Sequence, residues 1–429
     1  VAGQMEQRTL FSEGKLLPIT NRLENLFFEI HSTLRDIDGM HADGALEELC
    51  KLLYLKSYVE DHLQDIPVPD VRSSSFGSCE EFASCLRGLL SVANAFDLQE
   101  NKARIPEYEQ SRGVFTEPFG LSSAALAKAF ELLECYTLKE SDADIKGRAF
   151  QKVLTKSVRA EMGQYFTPVP VCEMMVAIVS PTVTDRIMDP FCGSGHFLSL
   201  SLEHVRNHAG ATPNQLSDFA YRSLFGIEKS DRLTRVAMTD MRMHGDGHSN
   251  IQCTDALLDF RNYPDLKPET FDVVLTNPPF GSILGAEAFS ALADFQLASG
   301  RKRVPLEVVG LERSIELLRP GGRIAIVLPE SIFNTESCRY IREWLQEKVR
   351  VRAIIDLPTE TFSPFGANVQ SGILVARKWE TGERPRNDDR VCLVKVENLG
   401  YDASGRAIQG SEVAKVARHV SSFIGKDGW

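Results

Sequence analysis

The chain has 429 residues, enough for roughly two or three domains of ordinary size. Hydrophobic residues make up 43% and charged residues 25%, a globular balance that excludes a disordered tail or a fibre. Lys plus Arg number 48 against 59 for Asp plus Glu, and the net charge of −11 excludes a uniformly basic nucleic-acid-binding surface while leaving room for a local basic groove.

Residues 1–155 carry helical patterning. Leu23–Ile30, Ala45–Leu53 and Ala124–Leu138 repeat apolar residues at helical spacing, and Pro67-Val68-Pro69, Ser73-Ser74-Ser75 and Pro106 break the pattern between them. This predicts a helical N-terminal domain. Over residues 156–380 short apolar runs alternate with helical stretches. Arg186–Met188, Ser223–Ile227, Phe271–Thr276 and Arg323–Leu328 read as buried strands, and His196–Arg206, Asp231–Met243 and Leu306–Leu318 as helices. Such alternation predicts an α/β fold, a doubly wound Rossmann-like sheet that holds its ligand at the carboxyl ends of the strands. Residues 381–429 read as a turn-rich stretch, a last strand over Val391–Val396 and a polar tail open to contact with a partner. No apolar run reaches the ~18 residues that cross a bilayer, and Val1–Leu10 has no signal-peptide core. The nine cysteines include no Cys-x-x-Cys pair, which argues against a zinc ribbon or a secreted disulfide framework and predicts a cytoplasmic protein.

The first chemistry-bearing segment is Asp189-Pro190-Phe191-Cys192-Gly193-Ser194-Gly195-His196-Phe197-Leu198, between a predicted strand and a helix. Gly193 and Gly195 let the backbone turn tightly and approach a ligand. Leu198 stands where a third glycine of a dinucleotide fingerprint would be, and there is no Gly-Lys-Ser/Thr, so a pyrophosphate cradle is the weaker reading. Asp189 beside the loop suits an ammonium-bearing ligand better than a phosphate. Glu228 at the end of the second strand is placed to accept ribose hydroxyls, and Asp255 at the end of the third to take an adenine amine. Singly, each acid is more often a cap or a solvated turn. Together they describe a pocket for an adenosine with a cationic amino-acid tail, S-adenosylmethionine.

Asn277-Pro278-Pro279-Phe280 ends the fourth strand. The prolines stiffen the backbone, the Asn277 oxygen and the Pro278 carbonyl offer two acceptors to one amino group, and Phe280 offers a stacking face worth about 1–3 kcal/mol. Two acceptors set for a tetrahedral nitrogen favour the rehybridised transition state of a poorly nucleophilic amine. The methyl passes in line, without a covalent enzyme intermediate, and a base inside a duplex must first be flipped out. Alone, the tetrapeptide would equally be an Asn-Pro turn with a core phenylalanine.

These residues together resemble amino-group DNA methyltransferases of the adenine-N6 type, most nearly the modification subunit of type I restriction–modification systems. Gly163-Gln164-Tyr165-Phe166-Thr167-Pro168 looks like that family's cofactor-capping motif, Leu318–Arg323 like its turn into the fifth strand, and Phe362–Ser371 like the loop that packs on the flipped base. The resemblance implies cofactor contacts at Gln164, Tyr165, Phe166, Thr167, Asp189, Cys192, Gly193, Ser194, Gly195, Phe197, Glu228 and Asp255, and a catalytic pocket at Asn277, Pro278, Pro279 and Phe280. It implies double-stranded DNA, a DNA specificity subunit, a second copy of the chain and a restriction subunit as partners. Two departures stand out: Phe191-Cys192 where Ala or Thr is common, and Val369-Gln370-Ser371 where Lys-Thr-Ser is often seen.

His244 and His248 flank a glycine-rich turn and read as solvated rather than as metal ligands. Arg301-Lys302-Arg303 is equally a solvated loop or a phosphate contact. Cys192 is no nucleophile, because the Pro-Cys dipeptide of cytosine-C5 enzymes is absent. After Lys378 too little chain follows for a base-reading domain, so sequence reading is expected in another chain or a missing segment. The rival readings are another amino acceptor (cytosine N4, an RNA base or a protein glutamine), a non-catalytic assembly subunit, and, more remotely, a nicotinamide oxidoreductase.

Overall fold

The structure, a computed structural model, describes residues 17–18, 25–62, 71–104, 115, 117–141, 145–147, 149–150, 152–154, 166–208, 210–245, 250–263, 266–284, 292–365, 369–383 and 389–429. The chain divides into two compact units, residues 1–162 with 238–245, and residues 163–237 with 246–429.

The first unit is built on α1 (Leu26–Asp38), α2 (Ala42–Asp61), α3 (Cys79–Arg104) and α4 (Ser123–Leu133). α1 stops at Gly39, whose φ of +64° is the left-handed conformation that ends many helices. α1 packs on α2 and α4, and α3 on the same two helices. α2 is buried on every face, charged residues included, where periodicity alone suggests one apolar stripe. The buried charges are satisfied locally, as burial demands. Lys51 pairs with Glu48 at 2.7 Å and donates to the Pro118 carbonyl, and Glu48 also accepts from the Gly120 N–H. Lys56 pairs with Glu60 at 3.2 Å, and Glu60 accepts from the N–H groups of Leu138 and Lys139.

The second unit begins its described part at Phe166 and runs through α5 (Val169–Val179), β1 (Ile187–Asp189), α6 (His196–His208), α7 (Pro213–Ser223), β2 (Leu224–Glu228), α8 (Asp231–Met243), β3 (Ile251–Cys253), β4 (Phe271–Thr276), α9 (Leu306–Leu317), β5 (Leu318–Pro329), α10 (Arg339–Lys348), β6 (Val349–Asp356), β7 (Ser371–Lys378), β8 (Cys392–Lys395) and α11 (Val413–Asp427). The C-terminal part of α8, from Met238, is counted with the first unit. The strands form one sheet in the order β8-β6-β7-β5-β4-β1-β2-β3. The strands from β1 to β5 pair in parallel, with helices in the β1–β2, β2–β3 and β4–β5 connections, whereas β7 runs antiparallel to both neighbours. β4 is buried along nearly its whole length, as a strand covered on both faces must be. From β1 the chain winds outward to β2 and β3, then crosses to β4 on the other side of β1. That reversal opens a crevice above the carboxyl ends of β1 and β4.

The sheet continues beyond Lys378, and the expected boundary at residue 380 falls inside this unit. β8 pairs in parallel with β6 as the edge strand. The polar tail is also corrected: residues 413–427 form α11, which packs on α5 through Val416, Ala417, Val420 and Ile424. Those four apolar residues are helically spaced but sparse, which is why the stretch reads as polar. α11 is further tied to β6 by Arg352, fully buried, which donates to Asp427 at 3.2 Å and to the Arg390 carbonyl and lies against the Phe423 ring. Among the described residues no helix is long and apolar enough to cross a membrane.

Candidate active site

The glycine loop leaves β1 at Asp189. Gly193 and Gly195 have φ of +53° and +85°, where a side chain would be strained. A Cβ on Gly195 would come within 3.3 Å of the Ala237 backbone, so this glycine permits the approach of α8. A Cβ on Gly193 would meet nothing within 4 Å and would project into open space. The Cys192 N–H donates to the Ile227 carbonyl at 2.9 Å, tying the loop to the end of β2. Cys192 packs beneath the loop with its thiol 3.0 Å from where a Gly226 Cβ would sit, and burial pushes that thiol's pKa well up.

Asp189 is 1% exposed. Its Oδ1 accepts from the Thr276 hydroxyl at 2.7 Å and the Phe191 N–H at 3.1 Å, while its Oδ2 is buried with no partner. Burial pushes this carboxyl up to about 7, against the pull of those two hydrogen bonds and with a further push from Glu228. Glu228, at the end of β2, accepts from the Gly193 N–H at 3.1 Å through Oε2 and the Ser230 N–H at 2.7 Å through Oε1. Burial raises its pKa too, opposed by those amides. Asp255 accepts from the Leu257 N–H at 3.0 Å and pairs with the exposed Lys229 ammonium at 2.8 Å. The Tyr263 hydroxyl donates to the Asp255 carbonyl and fixes that turn.

The opposite wall follows β4. The Asn277 amide donates through Nδ2 to the Thr167 hydroxyl at 3.0 Å, and its Oδ1 is buried with no partner. Phe280 is buried and stands edge-on to Phe362, centroids 6.2 Å apart at 83°. Phe362 comes from the stretch expected to wall the base pocket. Gln370 of that stretch is otherwise committed, to Thr359, Asp356 and the Leu357 carbonyl, and residues 366–368 lie outside the described residues. Pro278 and the Phe191 ring both pack over Gly310 of α9, where a Cβ would stand 3.1–3.2 Å from each.

These walls enclose a cleft of about 450 Å³, within the range that holds small ligands. It is lined by Phe166, Thr167, Asp189, Cys192, Gly193, Ser194, Phe197, Glu228, Asp255, Asn277, Pro279 and Phe280. Gly195 and Pro278 are not among its lining residues, and Gln164 and Tyr165 lie outside the described residues. Sequence reasoning missed the Thr276 hydroxyl, Gly310, and the lining residues His196, Lys229 and Leu306. His244 is buried rather than solvated, and its Nδ1 donates to the Asp240 carbonyl, 2.8 Å away, while His248 lies outside the described residues. Arg301 lies over the Tyr340 ring, 3.4 Å from its centroid, while Lys302 and Arg303 are exposed.

The N-6 DNA Methylase family profile matches residues 141–429. The methylase subunit of the type I restriction enzyme EcoEI of Escherichia coli is 30% identical over 50% of this chain and 42% of its own length. The EcoKI methylase subunit of Escherichia coli K12 is 26% identical over 87% of this chain and 70% of its own. Among solved structures, the methyltransferase subunit of the type I restriction-modification system of Streptococcus thermophilus superimposes with a TM-score of 0.62 at 17% identity, covering 94% of this chain and 93% of that one. The chain belongs to the N-6 DNA Methylase family, adenine-specific DNA methyltransferases whose methyl donor is S-adenosylmethionine. The donor set fits that cofactor: an orphaned buried carboxylate oxygen for an ammonium, and a glycine loop with room for a ligand where a Cβ would project.

Proposed function

We propose that this chain is the modification subunit of a type I restriction–modification system, and that its cleft joins the cofactor to the N6 amino group of a flipped-out adenine. The observation that carries the reading is a pair of buried, unpartnered acceptors at the ends of the neighbouring strands β1 and β4: Asp189 Oδ2 and Asn277 Oδ1. An orphaned buried acceptor costs about 1–3 kcal/mol, so two in one cleft mark a site completed by donors from a ligand.

S-adenosylmethionine supplies, when bound, an electrophilic methyl on a sulfonium. Asp189 holds the amino-acid ammonium through Oδ2. Glu228 uses the lone pairs its backbone amides leave open to accept the ribose hydroxyls, and Asp255 takes the cofactor's adenine amine at the far end. Phe166, Cys192, Ser194 and Phe197 exclude water around it. On the other wall Phe280 stacks on the target base. Asn277 Oδ1 accepts from the N6 amino group, joined by the Pro278 carbonyl, and Pro279 stiffens the turn. The pull of two acceptors draws the nitrogen lone pair out of the ring, towards the geometry of the transition state.

Sequence selection belongs to a DNA specificity subunit, with a second copy of the chain and a restriction subunit completing a cytoplasmic complex on double-stranded DNA. The relatives' description as type I methylase subunits supports this assembly. Residues 1–155 serve as the helical N-terminal domain, and the catalytic domain extends past residue 380 through β8 and α11. Residues 381–429 are the proposed partner contact, a reading supported by the edge strand β8, which leaves Leu393 74% exposed. The test is nuclease digestion of DNA treated with the chain, its specificity partner and cofactor, followed by identification of the modified base. N6-methyladenine is expected from the wild type and, with Asn277→Ala, a loss of about 100-fold or more. Methylation at cytosine N4, or undiminished product from the variant, contradicts the reading.

A further inference from the structure

A carboxamide can act only if the correct end faces its ligand, because its oxygen accepts and its nitrogen donates. Asn277 is 9% exposed, its Nδ2 is bonded to Thr167 Oγ1 at 3.0 Å, and its Oδ1 has no partner. The same device occurs at Asp189, where the Thr276 hydroxyl takes Oδ1 at 2.7 Å and Oδ2 is left unpartnered. In both pairs a threonine hydroxyl ties one end of a planar group and leaves the other end for a ligand.

Thr167 is itself held in place. It precedes Pro168, the N-cap of α5, whose carbonyl accepts from the N–H groups of Val171 and Cys172 at 2.9 and 3.2 Å. The Cys172 thiol donates to the Thr167 carbonyl at 3.8 Å. Seven residues of α5 are buried, so Thr167 is carried on an anchored helix start. On the other side, Asn277 is bounded by β4 and by Pro278, which fix its backbone.

We infer that Thr167 is a positioning residue for methyl transfer: its hydroxyl accepts from Asn277 Nδ2 and so holds Oδ1 towards the acceptor amine. This rests on the reading of Asn277 as the group that engages that amine. It differs from a cofactor-capping role, which would show in cofactor affinity. A Thr167→Val chain keeps the size and loses the hydroxyl; the untethered amide then spends time with Nδ2 towards the cleft, opposing one donor with another. Thr167→Ser restores the hydroxyl.

The experiment compares wild type, Thr167→Val, Thr167→Ser and Asn277→Ala in complex with the specificity partner. It measures single-turnover N6-methyladenine formation at saturating cofactor, and cofactor affinity by calorimetry. Thr167→Val is expected to lower the transfer rate by about tenfold to a hundredfold with cofactor affinity unchanged, and Thr167→Ser to stay near wild type. Weakened cofactor binding with an unchanged transfer rate overturns the inference and leaves the functional reading intact. Equal losses in the Val and Ser variants also overturn it, because packing rather than the hydroxyl would then be responsible. No N6-methyladenine from the wild type, or full activity in Asn277→Ala, overturns the functional reading itself and the inference with it.

Discussion

At the scale of single residues, Asp189 is the most informative group in the cleft. Its carboxyl is pushed up to about 7 by burial, far above the ordinary carboxylate range. A folded-state pKa above the unfolded value means that folding favours the protonated form. The stability this lends is fully present below about pH 4 and is lost as pH rises through about 7. Asp189→Asn should remove that loss. Without cofactor the variant is expected to unfold at about the same temperature as wild type near pH 4 and at a higher one at pH 8, as scanning calorimetry can check. A variant less stable than wild type at pH 8 would mean that Asp189 supports the fold rather than awaiting a ligand. Asp189, Glu228 and Asn277 were legible in the sequence because each closes an apolar run with a polar group beside a turn motif. Thr276 was not, because a threonine inside Phe271–Thr276 reads as one more β-branched strand residue until the fold brings it against Asp189. Gly310 was hidden likewise, since a helical glycine announces close packing only once Phe191 and Pro278 are seen over it.

At the scale of elements, periodicity located β4 and α8 at the bounds later found. It misread those whose pattern is set by distant partners. α2 carries charges on faces that tertiary structure buries, and only the pairs to Glu48 and Glu60 make this tolerable. α11 reads as a polar tail because its docking stripe is narrow, although Val420 is fully buried and Ile424 4% exposed. Removing part of that stripe tests whether the helix belongs to the catalytic unit. Ile424→Ala is expected to lower the unfolding free energy by about 2 kcal/mol in urea titrations with an unchanged m-value. No change in stability would mean that α11 is not docked on α5 in solution.

At the scale of the whole molecule, an acidic chain acts on a polyanion. The net charge of −11 allows only local contact with phosphates, and strong salt dependence follows for whatever duplex binding the chain achieves alone. On the proposed function the strand ends of the catalytic unit serve cofactor and base, which leaves sequence reading to the partner. The isolated chain is expected to bind duplexes weakly and without sequence preference in gel-shift titrations, and the specificity partner to confer the preference. Tight, selective binding by the chain alone would contradict that division of labour. Fold class and cofactor were legible at this scale because alternating strands, a glycine loop and strand-end acids are local signals. The joining of the Phe166–Thr167 segment to the end of β4 was not, because it depends on strand order rather than on neighbouring residues.

The measurement that bears most directly on the central claim is a calorimetric titration with S-adenosylmethionine at pH 8 and pH 6, wild type beside Asp189→Asn. If Asp189 holds the ammonium of the cofactor, wild type binds at pH 8 and more weakly at pH 6, where much of the carboxyl is protonated, while the variant binds poorly at both. Equal binding by wild type and variant at pH 8 would contradict the assignment of Asp189 as the group that holds the cofactor.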